Sequence, residues 1–214
     1  MKLTLWSHWR SSASYRVRIG LGLKGLSYEY RAVDLVRDEH ADPAYRAKHP
    51  QALVPTLEVD GTPLVQSLAI LEWLDETFPT PPLLPRDPLA RARVRAFALA
   101  IACEIHPLSN LAVRRYLADA LQLDEAAQTR WHHRWLGAGL EACERMIRSE
   151  PGPFCFGPAP GLADCLLVPQ LYNARRYGYA LDPFPRLREA EAAMLALPAV
   201  ERAAPEAQPD APGR

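Results

Sequence analysis

The chain has 214 residues, 49% of them hydrophobic, and its 25 basic residues balance 25 acidic ones to a formal net charge of zero. That length carries a sizeable core in one large or two small domains, and the balanced charge provides no general field for nucleic acid or an anionic membrane. Four cysteines without a C-x-x-C spacing are too few for a disulfide framework, and His132 and His133 stand without a second pair at zinc-ligand spacing, so no metal site is expected.

Lys2 to Trp6 reads as a short apolar strand, Ser7 to Arg10 as a turn, and Ala13 to Leu23 as a helix that Ser11 or Ser12 can cap. Amides at a helix start are unpaired and carry about half a positive charge, so this junction can hold an anion as well as a plain cap. Tyr28 to Val33 is extended, and a polar stretch follows from Arg37 to His49. Thr56 to Val59 and Pro63 to Val65 flank Asp60-Gly61, a hairpin signal of the type I′ kind. Ser67 to Thr77 is an amphipathic helix, with Ile70, Leu71 and Leu74 on its apolar face. Pro79, Pro81, Pro82, Pro85 and Pro88 cannot continue it and mark an interdomain link. Beyond the link, Leu89 to Leu121 and Asp124 to Ser149 are helical in period, Pro107 interrupts the first of these, and a further helix is expected from about Leu162 to Tyr177. Gly161 can cap that last helix, with Asp164 supplying half of a capping box. The adjacent His132 and His133 are expected on a solvated helix face. No apolar run of the ~20 residues that span a bilayer and no signal core is evident, and the expectation is a cytoplasmic protein.

The expected fold is therefore an α/β half (βαβ-ββα) over residues 1–80, a proline-rich link over 81–88, and an all-helical half over 89–214. With Ser11 to Gly25 (SSASYRVRIGLGLKG), Leu53 to Leu57 (LVPTL), Gln66 to Ile70 (QSLAI), Ile105-His106-Pro107 with Asn110, Leu162-Ala163-Asp164, Val168-Pro169-Gln170 and Gln208-Pro209-Asp210, nearly the whole chain resembles the zeta class of cytosolic glutathione transferases. That class has a thioredoxin-like N-terminal domain and includes maleylacetoacetate and maleylpyruvate isomerases.

The resemblance implies glutathione as cofactor, a small anionic maleyl keto-acid as substrate, and a homodimer. It implies Val54, before a cis proline, for the cysteinyl part of glutathione, and Gln66 and Ser67 for the γ-glutamyl carboxylate. His40 and Gln51 match positions that meet the glycine end, and His106 and Asn110 match residues that line the cleft. Each has a plainer reading: Pro55 as a trans residue starting a strand, Ser67 as an N-cap, His40 and Gln51 as solvated side chains, His106 as a helix break before Pro107. The usual cysteine after the two serines is Ala13 here, so the protein has no sulfur of its own at that position and glutathione's thiol is the nucleophile. Ser11, then Ser12, is the choice for the hydroxyl that favours the thiolate, because a free thiol with a pKa of about 8.5 is mostly protonated at neutral pH. Arg10 and Arg176 match positions facing the diacid, where a planar guanidinium suits carboxylates and a developing enolate. Arg175 reads as a surface charge, and Arg16 and Arg18 as structural residues pairing with carboxylates. Two other functions share these residues: a transferase that conjugates electrophiles such as α-haloacids, and a noncatalytic glutathione-binding module.

Overall fold

The computed structural model describes residues 1–213, which divide into two compact units, 1–83 with 195–213 and 84–194. In the first unit, β1 (Leu3–Ser7), β2 (Glu29–Ala32), β3 (Thr56–Val59) and β4 (Thr62–Val65) form one sheet in the order β2-β1-β3-β4. β1 runs parallel to β2 and antiparallel to β3, as a βα crossover followed by a hairpin requires. The hairpin pairs Val59 with Thr62 around Asp60-Gly61, both at positive φ (48° and 86°), the type I′ geometry that the dipeptide signals. Leu5 and Leu57 are fully buried on the sheet.

Two helices cover that sheet, α1 (Ser12–Leu23) and α3 (Ser67–Thr77); between them the polar stretch forms a 3-10 turn and one short helix, α2 (Pro43–Arg46). α1 and α3 approach closely because Gly20 has no side chain, and a Cβ there would lie 2.2 Å from Leu71 Cδ2. After α3 the chain is pinned by a buried lysine: Lys24 Nζ donates to Asp75 (2.7 Å) and to the carbonyls of Phe78 and Pro81, and Asp75 accepts from the Leu83 amide. The proline-rich segment is thus tied down by hydrogen bonds rather than left as a loose connector. It contains a cis Thr80-Pro81 bond besides the cis Val54-Pro55 bond.

The second unit is helical. α4 (Pro88–Leu99), capped by Asp87, runs into π-helical and 3-10 turns around Pro107, then α5 (Leu111–Arg115) and a second π-helical turn. The single helix suggested by the period of residues 89–121 is broken in this way because Pro107 has no N–H to donate. α6 (Glu125–Ile147) and α7 (Leu162–Arg176) follow, and α8 (Pro185–Leu195) ends the unit. α7 is buried along most of its length. At its start the Gly161 amide donates to Asp164 Oδ2 (2.9 Å), the half box open to a glycine, and Asp164 Oδ1 accepts from Cys155 N (2.8 Å).

Three expectations are corrected. Residues 195–213, expected with the helical half, pack on the sheet unit: α9 (Pro198–Ala203) lies along α1, where a Cβ on Gly22 would stand 3.1 Å from the Ala199 carbonyl oxygen. His132 is buried rather than solvated, stacked on Tyr177 with ring centroids 4.1 Å apart. The stretch Pro88–Ala120 is, by length and composition alone, apolar enough to cross a membrane, where no such run was expected; its apolar window is 28% buried.

Candidate active site

In the sheet unit the turn after β1 delivers Arg10 and Ser11 to the start of α1. Ser11 is the N-cap: its backbone is extended (φ −67°, ψ 121°), and its Oγ accepts from the Ser14 amide at 3.2 Å. A serine hydroxyl has two lone pairs and one proton, so capping leaves the O–H available to donate. Ser12 is buried on the first turn, Ala13 beside it is half-buried and apolar, and the Arg10 guanidinium is exposed above the Trp9 ring, 5.1 Å from its centroid.

The start of α3 is built differently. Gln66 occupies its N-cap position with φ 70° and ψ 113°, and no side chain caps the helix; the first turn holds no acid. A non-glycine residue at such a φ is strained, and strain of this kind gathers where structure serves a ligand. Ser67, buried, opens the helix and accepts from Arg16 Nη1 at 3.2 Å, again leaving a hydroxyl proton to donate. Arg16 itself is 2% exposed, so a guanidinium lies directly behind this helix start. The arrangement fits a carboxylate: unpaired amides, one hydroxyl donor, and positive charge from both dipole and arginine.

Gln51 and Gln66 meet directly, Gln66 Nε2 donating to Gln51 Oε1 at 2.6 Å. Between them in sequence, Val54 is buried with Val33 and Tyr45, and its bond to Pro55 is cis. The Tyr45 hydroxyl holds this segment, donating to the Leu53 carbonyl (2.7 Å) with Thr56 Oγ1 at 3.1 Å. His40 stands apart from this group: its Nε2 is 3.8 Å from Asp38 on the 3-10 turn, and no hydrogen bond among the described residues joins it to Gln51 or Gln66.

The helical unit gathers its own set. Arg176, exposed at the end of α7, donates to Asn173 Oδ1 at 3.3 Å; Asn173 donates to Ser109 Oγ (3.4 Å), and Ser109 donates to the His106 carbonyl (3.2 Å). Asn110 is the N-cap of α5, its Oδ1 accepting from Val113 N at 2.9 Å. Asn173 and Ser109, which join Arg176 to the His106–Asn110 turn, escaped the sequence reading because nothing local to either pairs α7 with that turn. Arg175 is no free surface charge: it forks onto Glu191 of α8, an interaction that raises its pKa. A separate groove of about 900 Å³ in the same unit, lined by His133, Arg148, Tyr179 and Phe184 among others, contains none of the glutathione- or substrate-binding candidates named from sequence.

The chain is similar over nearly its whole length to known proteins. Residues 1–76 match the glutathione S-transferase N-terminal domain and residues 114–190 the glutathione S-transferase C-terminal domain. A maleylacetoacetate isomerase of Pseudomonas aeruginosa is 48% identical over 213 residues, 98% of this chain and 99% of its own. Among solved structures, a holo maleylpyruvate isomerase described as a bacterial zeta-class glutathione transferase superposes with a TM-score of 0.95 at 47% identity, covering 97% of this chain and 99% of that one. A maleylacetoacetate isomerase from Anaeromyxobacter dehalogenans with bound glutathione superposes with a TM-score of 0.89 at 48% identity, covering 99% and 98%.

Proposed function

This chain belongs to the zeta class of the glutathione transferase family, and from that premise we propose that it is a glutathione-dependent isomerase converting a maleyl keto-acid, maleylacetoacetate or maleylpyruvate, to its fumaryl isomer. The observation that carries this reading is the pair of helix starts in the sheet unit, one with a spare serine proton and the other uncapped. Together they suit a ligand that brings both a thiol and a carboxylate.

The chemistry that bound glutathione supplies is reversible addition of its thiolate to the cis double bond, which becomes single, rotates, and is restored in the trans form as the thiolate leaves. Ser11 donates its O–H to the sulfur, and the α1 amides add their dipole, so the anion is favoured at neutral pH. Ser12, one residue on, is the alternative donor. Ser67 and the α3 amides hold the γ-glutamyl carboxylate, backed by Arg16, and Gln66 is steadied by Gln51. The Val54 backbone receives the cysteinyl amide, and His40 serves the glycine end. Arg10 in the sheet unit and, separately, Arg176 with His106 and Asn110 in the helical unit are the candidates for the carboxylates of the substrate and for the negative charge that develops on it. Ala13 needs no thiol for any of these tasks.

The reaction belongs to the catabolism of aromatic compounds, where ring opening creates maleyl acids, and is placed in the cytoplasm. A homodimer is part of the proposal, supported by the exposed Leu89 (71%) and Leu99 (43%) on the sparsely buried apolar stretch that opens the helical unit. The test is conversion of each maleyl acid with glutathione far below stoichiometry. Many turnovers with a constant thiol titre support the isomerase; one thiol lost per substrate supports a conjugating transferase; glutathione affinity without conversion of either acid supports a binding module.

A further inference from the structure

The tail motif Gln208-Pro209-Asp210 has no part in the chemistry above, yet it ends against the turn that carries Arg10 and Ser11. Asp210 Oδ2 accepts from the Trp9 amide at 2.9 Å, and its Oδ1 accepts from the Tyr30 hydroxyl at 2.6 Å. His8 Nδ1 lies 4.0 Å from Oδ2. On the other side of the same turn, Arg18 Nη2 donates to the Trp9 carbonyl (2.9 Å), and Nη1 donates to Ser7 Oγ (3.2 Å) and the His8 carbonyl (3.4 Å). That His8 carbonyl also accepts from the Ser11 amide at 3.0 Å. Arg18 is completed by the tail as well, Nε donating to the Ala203 carbonyl at 2.9 Å.

We infer that the C-terminal tail is a clamp on the catalytic turn, with Asp210 and Arg18 as positioning residues that set where the Ser11 hydroxyl points. The inference rests on the assignment of Ser11 as thiolate donor. Residues 8–10 have few ways to hold themselves, because a turn lacks the repeating hydrogen bonds of a helix or strand. Here the peptide groups on both sides of Trp9 are held from outside, the N–H by a carboxylate and the C=O by a guanidinium. Bonds to charged groups are the stronger class, and Arg18 is 1% exposed, so they act in a medium that weakens them little. Burial, assisted by the bond to Asp210, raises the Tyr30 pKa, so the phenol remains a donor to Asp210 across the working pH range. The tail is itself folded onto this place: Gln208, 4% exposed, donates from Nε2 to the carbonyls of Arg202 and Ala204. Trp9 follows one residue after His8 and precedes Arg10 and Ser11 directly, so a change in its peptide plane is passed to both.

The test uses the full-length chain with Asp210→Ala, Asp210→Asn and Tyr30→Phe, read by kcat, the KM for glutathione, and the pKa of the bound glutathione thiol from its thiolate absorbance. Removing a negative charge by itself favours a nearby thiolate and lowers that pKa. The clamp predicts the reverse: a raised thiol pKa and a kcat about tenfold lower in Asp210→Ala, a smaller loss in Asp210→Asn, which keeps one acceptor for Trp9, and the smallest in Tyr30→Phe. The KM for glutathione changes less than kcat, because the α3 carboxylate site is untouched. A folded Asp210→Ala protein with the parent's thiol pKa and kcat, or with a lowered thiol pKa, overturns the clamp. Should that variant fail to fold, Asp210→Asn is judged by the same two values in the same directions. A parent chain that neither binds glutathione as thiolate nor converts a maleyl acid overturns the functional assignment instead, whatever the variants do.

Discussion

The two helix starts of the sheet unit solve different electrostatic problems with the same residue type. At α1, Ser11 caps the helix and keeps a proton; at α3, Ser67 is backed by Arg16 and no side chain caps the helix. A capped start with one spare donor suits a soft anion such as a thiolate, which must form from a neutral thiol. An uncapped start with a guanidinium behind it suits a carboxylate, already charged at neutral pH. Anion binding at a helix N-terminus is thus not one device, and what distinguishes the cases is whether the protein satisfies the first amides itself.

The largest effect expected from breaking this contrast is at α1. Ser11→Ala removes cap and donor together and should lower kcat about a hundredfold, with a stability loss of about 1 kcal/mol. Ser11→Gly should lower kcat equally but cost only a few tenths of a kcal/mol in a denaturant titration, because glycine is tolerated at an N-cap. If Ser11→Gly retains activity, the hydroxyl is only a cap. At α3 the loss falls on binding: Ser67→Ala should raise the KM for glutathione about tenfold, the worth of a hydrogen bond to a charged group, while kcat at saturation changes little. A kcat loss equal to that at Ser11 would erase the distinction between the two starts. Smaller still, Gln66→Gly relieves the backbone at φ 70° and should raise stability by about 1 kcal/mol while weakening glutathione binding several-fold through loss of the Gln51 contact. Unchanged stability would mean that the strain is absorbed elsewhere.

Away from both starts, pH should act on the fold alone. Burial first, then the positive charges of Arg114 and His133, push His132 down to about 4. In the unfolded chain an imidazole titrates near about 6.5, so between those values the unfolded state binds more protons and stability falls as pH is lowered. The melting temperature should therefore decline from about pH 7 to about pH 5 and decline less in His132→Phe, which keeps the stacking on Tyr177; an equal decline in both proteins would assign the pH dependence to other groups.

Local signals were legible in the sequence where the cause is local. Asp60-Gly61 demands its turn, the Ser11-Ser12 pair announces a cap, and Gly161 with Asp164 gives half a box, all within a few residues of the chain. The tail was not legible for the opposite reason. The helical half was expected to run on to the last residue, whereas Pro198 opens α9 and the segment docks on α1 through Gly22 and Arg18, partners more than 170 residues away in sequence. Arg18 looked like a residue awaiting carboxylates and is instead surrounded by carbonyl and hydroxyl oxygens. His132 was expected on a solvated face; its stacking partner Tyr177 lies on another element, which no helix period in α6 reveals. The site divides the same way: Ser11, Gln66 and Ser67 were visible at helix starts, while Arg16 behind Ser67 and Asn173 beside Arg176 required the fold.

The central claim is that the Ser11 hydroxyl, spared by its own cap, turns a bound thiol into a thiolate. Titration of glutathione bound to the parent chain and to Ser11→Gly tests it most directly. The account predicts a thiol pKa well below the free value of about 8.5 in the parent and a return toward that value in the variant. The same depressed pKa in both proteins would contradict it.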